Sequence, residues 1–174
     1  MALKPHRNYT RANGDFFMNE TAEKGSVVVY DTAAVGGPGL DNPNNLVKKP
    51  TANTDPVAGL LLETVIDDDP TKCCYNPYKG DAYVCNKVAL LNGCDGWVTT
   101  NMIDDTIDLA TILPGQPAYL SANFGPDGEG LVTNVDAGGS LVGEFLSRVS
   151  TVDEEDPCGV ATCSTGYVRL KVKC

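Results

Sequence analysis

Histidine is nearly missing from this sequence, with His6 the only one in 174 residues. A Ser-His-Asp or Cys-His pair needs a histidine, and one placed in a polar terminal stretch makes a poor general base. Long apolar runs are missing as well. The longest, Val57 to Leu62, is far too short to span a bilayer, so no membrane partner is expected. The opening Met1-Ala-Leu-Lys-Pro-His-Arg7 turns polar without the apolar stretch of a secretory signal, which points to synthesis in the cytoplasm with cysteines mostly reduced. Positive charge is scarce: 13 Lys and Arg stand against 23 Asp and Glu, a net charge of −10. Phosphate backbones need a basic face, so nucleic acid is not an expected partner.

Cysteine is plentiful, but the spacing of metal ligands is not there. The seven cysteines are Cys73, Cys74, Cys85, Cys94, Cys158, Cys163 and Cys174, with no C-x-x-C pair among them. No metal and no cofactor are expected. A disulfide is most compatible with Cys158 and Cys163, which would close a short loop. Cys73 or Cys74 could pair with Cys85 or Cys94, and buried free thiols packing as small apolar groups are an equal alternative. Gly36-Gly-Pro-Gly39 lacks the Lys-Ser/Thr of a phosphate loop, and Pro38 removes one of its amides. Asp67-Asp-Asp-Pro70 lacks the alternating spacing of a calcium loop and reads as a solvated turn. Glu63 with Asp67 to Asp69 could supply paired carboxylates, but many acidic loops offer as much. The expectation is a protein that is not an enzyme.

What the sequence does contain is short β-prone segments punctuated by 18 glycines and 11 prolines. Gly25 to Tyr30 is apolar without alternation, as in a strand buried on both faces. Pro56 to Ile66 reads as a core strand, with Ala58, Leu60 and Leu62 on one face. Asn92-Gly-Cys-Asp-Gly96 reads as a hairpin turn returning through Trp97 to Asn101. Asp104 to Leu113 has room for one or two helical turns before Pro114-Gly115. The clearest strand is Gly166 to Lys173: Val168, Leu170 and Val172 share one face, while Tyr167, Arg169, Lys171 and Lys173 share the other. The pattern predicts a mainly β chain, a small antiparallel β-barrel spanning 25–174, with loop insertions at 31–55, 67–80 and 151–165. Its expected core includes Val28, Leu60, Leu62, Val88, Trp97, Leu120, Phe145, Val168, Leu170 and Val172.

Residues 1–24 run against the acidic trend and read as an extended N-terminal arm. Lys4, His6, Arg7 and Arg11 precede the first acid, Asp15, and Phe16-Phe17-Met18 is the one apolar cluster. Such a segment is either a frayed terminus or a piece that binds a partner, with Lys4, Arg7 and Arg11 giving attraction and Phe16 and Phe17 an anchor. Trp97, Tyr119 and Tyr167 are large and amphipathic, which makes them candidates for an interface between copies.

In order, Met1-Ala-Leu-Lys-Pro5, Phe17 to Val29, Val57-Ala-Gly-Leu-Leu-Leu62, Gly96 to Asn101, Gly115 to Leu120, Leu131 to Asn134, Val142 to Ser147 and Gly166 to Val172 resemble the head-decoration, or cement, proteins of tailed bacteriophages, those of cyanophages in particular. The resemblance covers most of the chain. It implies a small barrel or β-tulip on the outer surface of an assembled icosahedral head, bound to the major capsid protein and stabilising the shell. It also implies a homo-oligomer, a trimer before a dimer. The Cys-rich stretches 73–94 and 158–163 depart from that pattern. A different reading is an extracellular or virion-surface attachment module held by disulfides.

Overall fold

The computed structural model describes residues 3–5, 12–32, 46–67, 81–84, 86–93, 97–152 and 162–173, the side chains of 3–5, 12–15, 151–152 and 162–165 excepted. In chain order its strands are β1 (Leu3–Pro5), β2 (Ala12–Met18), β3 (Val27–Tyr30), β4 (Leu46–Lys48), β5 (Val57–Leu61), β6 (Val65–Ile66) and β7 (Ala82–Tyr83). There follow β8 (Asn86–Leu91), β9 (Trp97–Thr100), β10 (Pro117–Phe124), β11 (Gly130–Thr133), β12 (Leu141–Phe145), β13 (Ser150–Val152) and β14 (Thr162–Val172). A single 3-10 turn, Leu109–Thr111, is the helical element among the described residues, capped by Asp108, whose carboxylate accepts from Ala110 N. The fold is mainly β, as the sequence predicts, with a closed five-stranded barrel and additional strands.

The barrel runs β3–β4–β2–β8–β5 and closes where β5 pairs with β3. A strand inside a wall between two cores must be apolar on both faces, and the Val27-Val28-Val29 run meets that demand. Val28 points into the barrel with Phe16, Met18, Val47, Leu61, Val88 and Leu90. Val27 and Val29 point the other way, into a second core with Leu60, Leu91, Leu120, Phe145 and Leu170. Strict alternation would put Ala58 and Leu60 on one face, yet they lie in different cores. The register of β5 on β3 shifts between Val28 and Val29, which adds a residue and turns Ala58 toward the barrel. Gly59 sits in that irregularity with φ 154°, and a Cβ there would lie 2.6 Å from Leu91 O, so the site requires glycine.

The second core is covered by an open sheet that continues from β3 in the order β11, β10, β12, β14, β9 and β1. On β14 the expected alternation holds, with Val168, Leu170 and Val172 buried and Tyr167, Arg169 and Lys171 only partly so. Eight of the ten expected core residues named above are buried, and Leu62 and Trp97 are intermediate.

Three boundaries differ from expectation. The barrel begins at Ala12, because β2 lies between β4 and β8, so the arm expected over 1–24 is extended but partly laid into the sheet. The 31–55 insertion contributes β4, which runs parallel to β2 and completes the ring. The turn at 92–96 does not close a hairpin. Both flanks of β8 are taken by β2 and β5, so the chain crosses over and β9 pairs with β14 and β1 instead. Most of 67–80 and the tip of 151–165 lie outside the described residues, though β13 and β14 do pair around the latter.

Candidate functional site: the outer face of the open sheet

Burying one face of the open sheet leaves the other to solvent. Val98, Ala118, Leu120, Val168 and Leu170 fill the inner face, so alternation sends Trp97, Tyr119, Tyr167, Arg169 and Lys171 outward. Register sets some of these residues side by side. Trp97 lies opposite Lys171, Lys171 opposite Glu144, and Glu144 opposite Pro117, one row across four strands. Tyr119 stands on β10 opposite Leu141, which is 47% exposed. Trp97, Tyr119 and Tyr167, which the sequence marks for an interface, thus lie on one side of the sheet but spread across it, with Tyr167 four residues before Lys171 and Tyr119 past the other side of the row.

Diagonal neighbours tie the surface together. The Arg169 guanidinium lies 5.4 Å from the centre of the Trp97 ring, within cation–π range. Lys173 Nζ donates to Glu144 Oε2 at 2.5 Å. That hydrogen bond, then the charge of Lys173, holds the Glu144 carboxyl below its ordinary range, with Lys171 adding to the effect. Three cations and one carboxylate therefore occupy this part of a protein whose net charge is −10.

The N-terminal candidates fall elsewhere. Lys4 lies in β1, in register with Thr99 on the edge of this same sheet. Arg7 and Arg11 lie outside the described residues. Phe16 cannot serve as an exposed anchor: it is 5% exposed, packed inside the barrel, because β2 is an interior strand. Phe17 faces the other way, half-buried, with Lys87 Nζ 5.8 Å from its ring. Cys158 lies outside the described residues, and Cys163 belongs to β14 with its side chain outside them, so the Cys158–Cys163 pairing does too.

A buried carboxylate escaped the sequence reading. Asp104 is 2% exposed and accepts from Ser121 Oγ at 2.5 Å, Thr106 Oγ1 at 2.7 Å, Thr106 N at 3.0 Å and Asn123 Nδ2 at 3.1 Å. Burial pushes its carboxyl up, but these hydrogen bonds together outweigh burial and hold it below its usual value. Ser121 is itself 1% exposed while Thr106 and Asn123 reach the surface, and the cluster acts as a clamp holding the start of the 104–111 loop against β10. The Asp-x-Thr turn was the available signal, but nothing in the sequence names Ser121 as the partner.

A cleft of about 510 Å³ lies at the seam between the barrel and the β10–β11 hairpin, lined by Thr21, Glu23, Lys49, Thr64, Asp127 and Glu129 among others. Lys49 spans it, donating from Nζ to Asp127 O at 2.7 Å. Among the described residues no group of three or more His, Cys, Asp or Glu side chains could hold a metal. Comparison of the chain with protein families, with curated proteins and with solved structures finds no match.

Proposed function

We propose that this protein is a non-enzymatic component of a tailed-phage virion that binds the outer surface of the assembled head and stabilises it. The observation that carries the reading is where the polar and aromatic groups are placed. The buried carboxylate Asp104 is committed to Thr106, Ser121 and Asn123, while Trp97, Tyr119, Tyr167 and the cations of β14 lie on one face of a two-core scaffold. A face of that kind suits protein contact, where aromatic residues and arginine are enriched. The ordered resemblance to head-decoration proteins supplies the partner, the major capsid protein.

The mechanism is linkage. A ligand that binds only the mature shell stabilises it by RT ln(1 + [L]/Kd), about 2.7 kcal/mol per site at a hundredfold excess over Kd. Many sites act in parallel, and association between copies multiplies contacts through effective concentration. β1 pairs along the edge of this sheet, with Lys4 in register with Thr99, which sets that part of the N-terminal segment beside the strands carrying Trp97 and Arg169. Copies meet through Trp97, Tyr119 and Tyr167, as a trimer before a dimer, and the protein, made in the host cytoplasm, ends on the outside of the capsid.

The test is co-sedimentation of the purified protein with intact phage heads. Saturable binding, together with a raised disruption temperature of the heads, is the expected result. A protein that stays in the supernatant at low salt refutes the reading. If a thiol titration also finds several disulfides, the attachment-module reading takes its place.

A further inference from the structure

We infer that the basic outer face of one copy docks on the acidic flank of a second copy, head to tail, and not on the same face of its neighbour. The inference deepens the oligomeric part of the proposal above by naming the two surfaces that meet.

Arg169, Lys171 and Lys173 alternate along the outer side of β14, and the nearby carboxylate, Glu144, is already bonded to Lys173. Laying this face on itself would set cation against cation, and like charges brought together at an interface oppose docking. A complementary surface lies at the other end of the same sheet. The 104–111 loop is fixed beside β11, through Asp104 N to Val132 O at 3.0 Å and Asn134 Nδ2 to Thr111 O at 3.2 Å. It exposes Asp105 and Asp108, and Asp136 is exposed in the turn after β11. Between β14 and β11 lie β12 and β10, so these two strands are three inter-strand steps apart, roughly 14 Å, and the acids lie beside or past β11. The sheet is electrically polar along its width.

Overall repulsion between two bodies of charge −10 makes the location of the contact decisive. Copies can approach only where the cations of one meet the acids of the other, and the partly exposed Trp97, Tyr119 and Leu141 then supply apolar area. A contact between two different surfaces is heterologous and closes into a ring when the rotation allows.

The experiment is sedimentation of the full chain at micromolar concentration, with folding checked by circular dichroism. Wild type is expected to associate, and raised salt to weaken it. Lys171→Glu, and separately Asp105→Lys with Asp136→Lys, should each weaken association about tenfold or more. A chain carrying all three reversals should regain it. Should Lys171→Glu fail to fold, Trp97→Ala replaces it as the variant with a damaged face. Association that persists in Asp105→Lys/Asp136→Lys overturns the inference, since that chain has an intact face. So does a triple variant that stays dissociated, or a wild type that is monomeric. Head binding is read separately, so failure here leaves capsid attachment to its own test.

Discussion

The closed barrel and the open sheet beside it join at β3, with β3, β5 and β8 lining the core between them, yet they meet the demands of burial differently. In the barrel every strand has two partners, so it exposes no unpaired edge and its apolar side chains face a common interior. The open sheet buries one face against the barrel wall and keeps the other for solvent, with β1 at its margin. One half encloses its core on all sides, and the other leaves a sheet face open. Trp97, Tyr119, Tyr167 and the β14 cations stand on the open half, where alternation leaves a sheet face uncovered, while Phe17 and Lys87 pair on the outside of the barrel.

Because β3 contributes Val28 to one core and Val27 and Val29 to the other, the halves should unfold together. Leu61 in the barrel and Leu170 in the open sheet are both fully buried. Leu61→Ala and Leu170→Ala should each cost about 2–5 kcal/mol, the spread depending on how far each site relaxes. Either change should lower one shared transition. Trp97 fluorescence reports the open sheet and far-UV circular dichroism reports both halves, so their urea midpoints should coincide in wild type and in both variants. Separated midpoints would show that the shared wall does not couple the cores.

The two halves also differ in how far the sequence reveals them. Strands of the open sheet obey period two, so β14 could be read to the residue, inner face and outer face alike. The shared wall does not. Val27 to Val29 announces double burial but not which residue faces which core, and the shifted register at Gly59 reverses the assignment of Ala58 relative to Leu60. β2 and β4 join the barrel through non-local pairing, parallel in the case of Phe17 with Leu46, and nothing local marks them. A Phe pair in a basic, polar stretch has the pattern of a docking anchor, yet Phe16 is buried. Its burial is decided by β8, some 70 residues away (Phe16 pairs with Val88). Of the surface, the aromatic residues could be named from the sequence, but which neighbours each one meets depends on register, which no single strand encodes.

Asp104 pins to the open sheet the loop that covers the second core. Asp104→Asn keeps the shape but sets an amide donor among groups that all donate, at a cost of about 1–3 kcal/mol. Its carboxyl is held below the ordinary value in the fold, so its contribution is complete above the unfolded value near 3.9 and is lost as pH falls through the folded one. Wild type should therefore lose stability on acidification through that window, and Asp104→Asn should lose less. Urea midpoints measured from pH 6 down to pH 3 check both statements, and parallel curves for the two proteins would contradict them.

The smallest expected effect lies where the two halves join. Ser26 precedes the shared strand, is fully buried, and its hydroxyl has no hydrogen-bond partner. Its backbone is well served: Ser26 N donates to Glu23 O at 3.1 Å and Ser26 O accepts from Leu61 N at 3.0 Å, so a side-chain change leaves those bonds in place. By alternation Ser26 shares the face of Val28, toward the barrel. A buried hydroxyl without a partner forfeits hydration and gains nothing in return, a loss of about 1–3 kcal/mol in mutational data. Removing the hydroxyl should recover part of that, less the small packing loss of one atom. Ser26→Ala is therefore expected to be neutral or to stabilise by up to about 1 kcal/mol, read as an unchanged or raised urea midpoint with an unchanged slope. A clear fall in the midpoint would mean that the hydroxyl is bonded after all and that the junction between barrel and sheet depends on it.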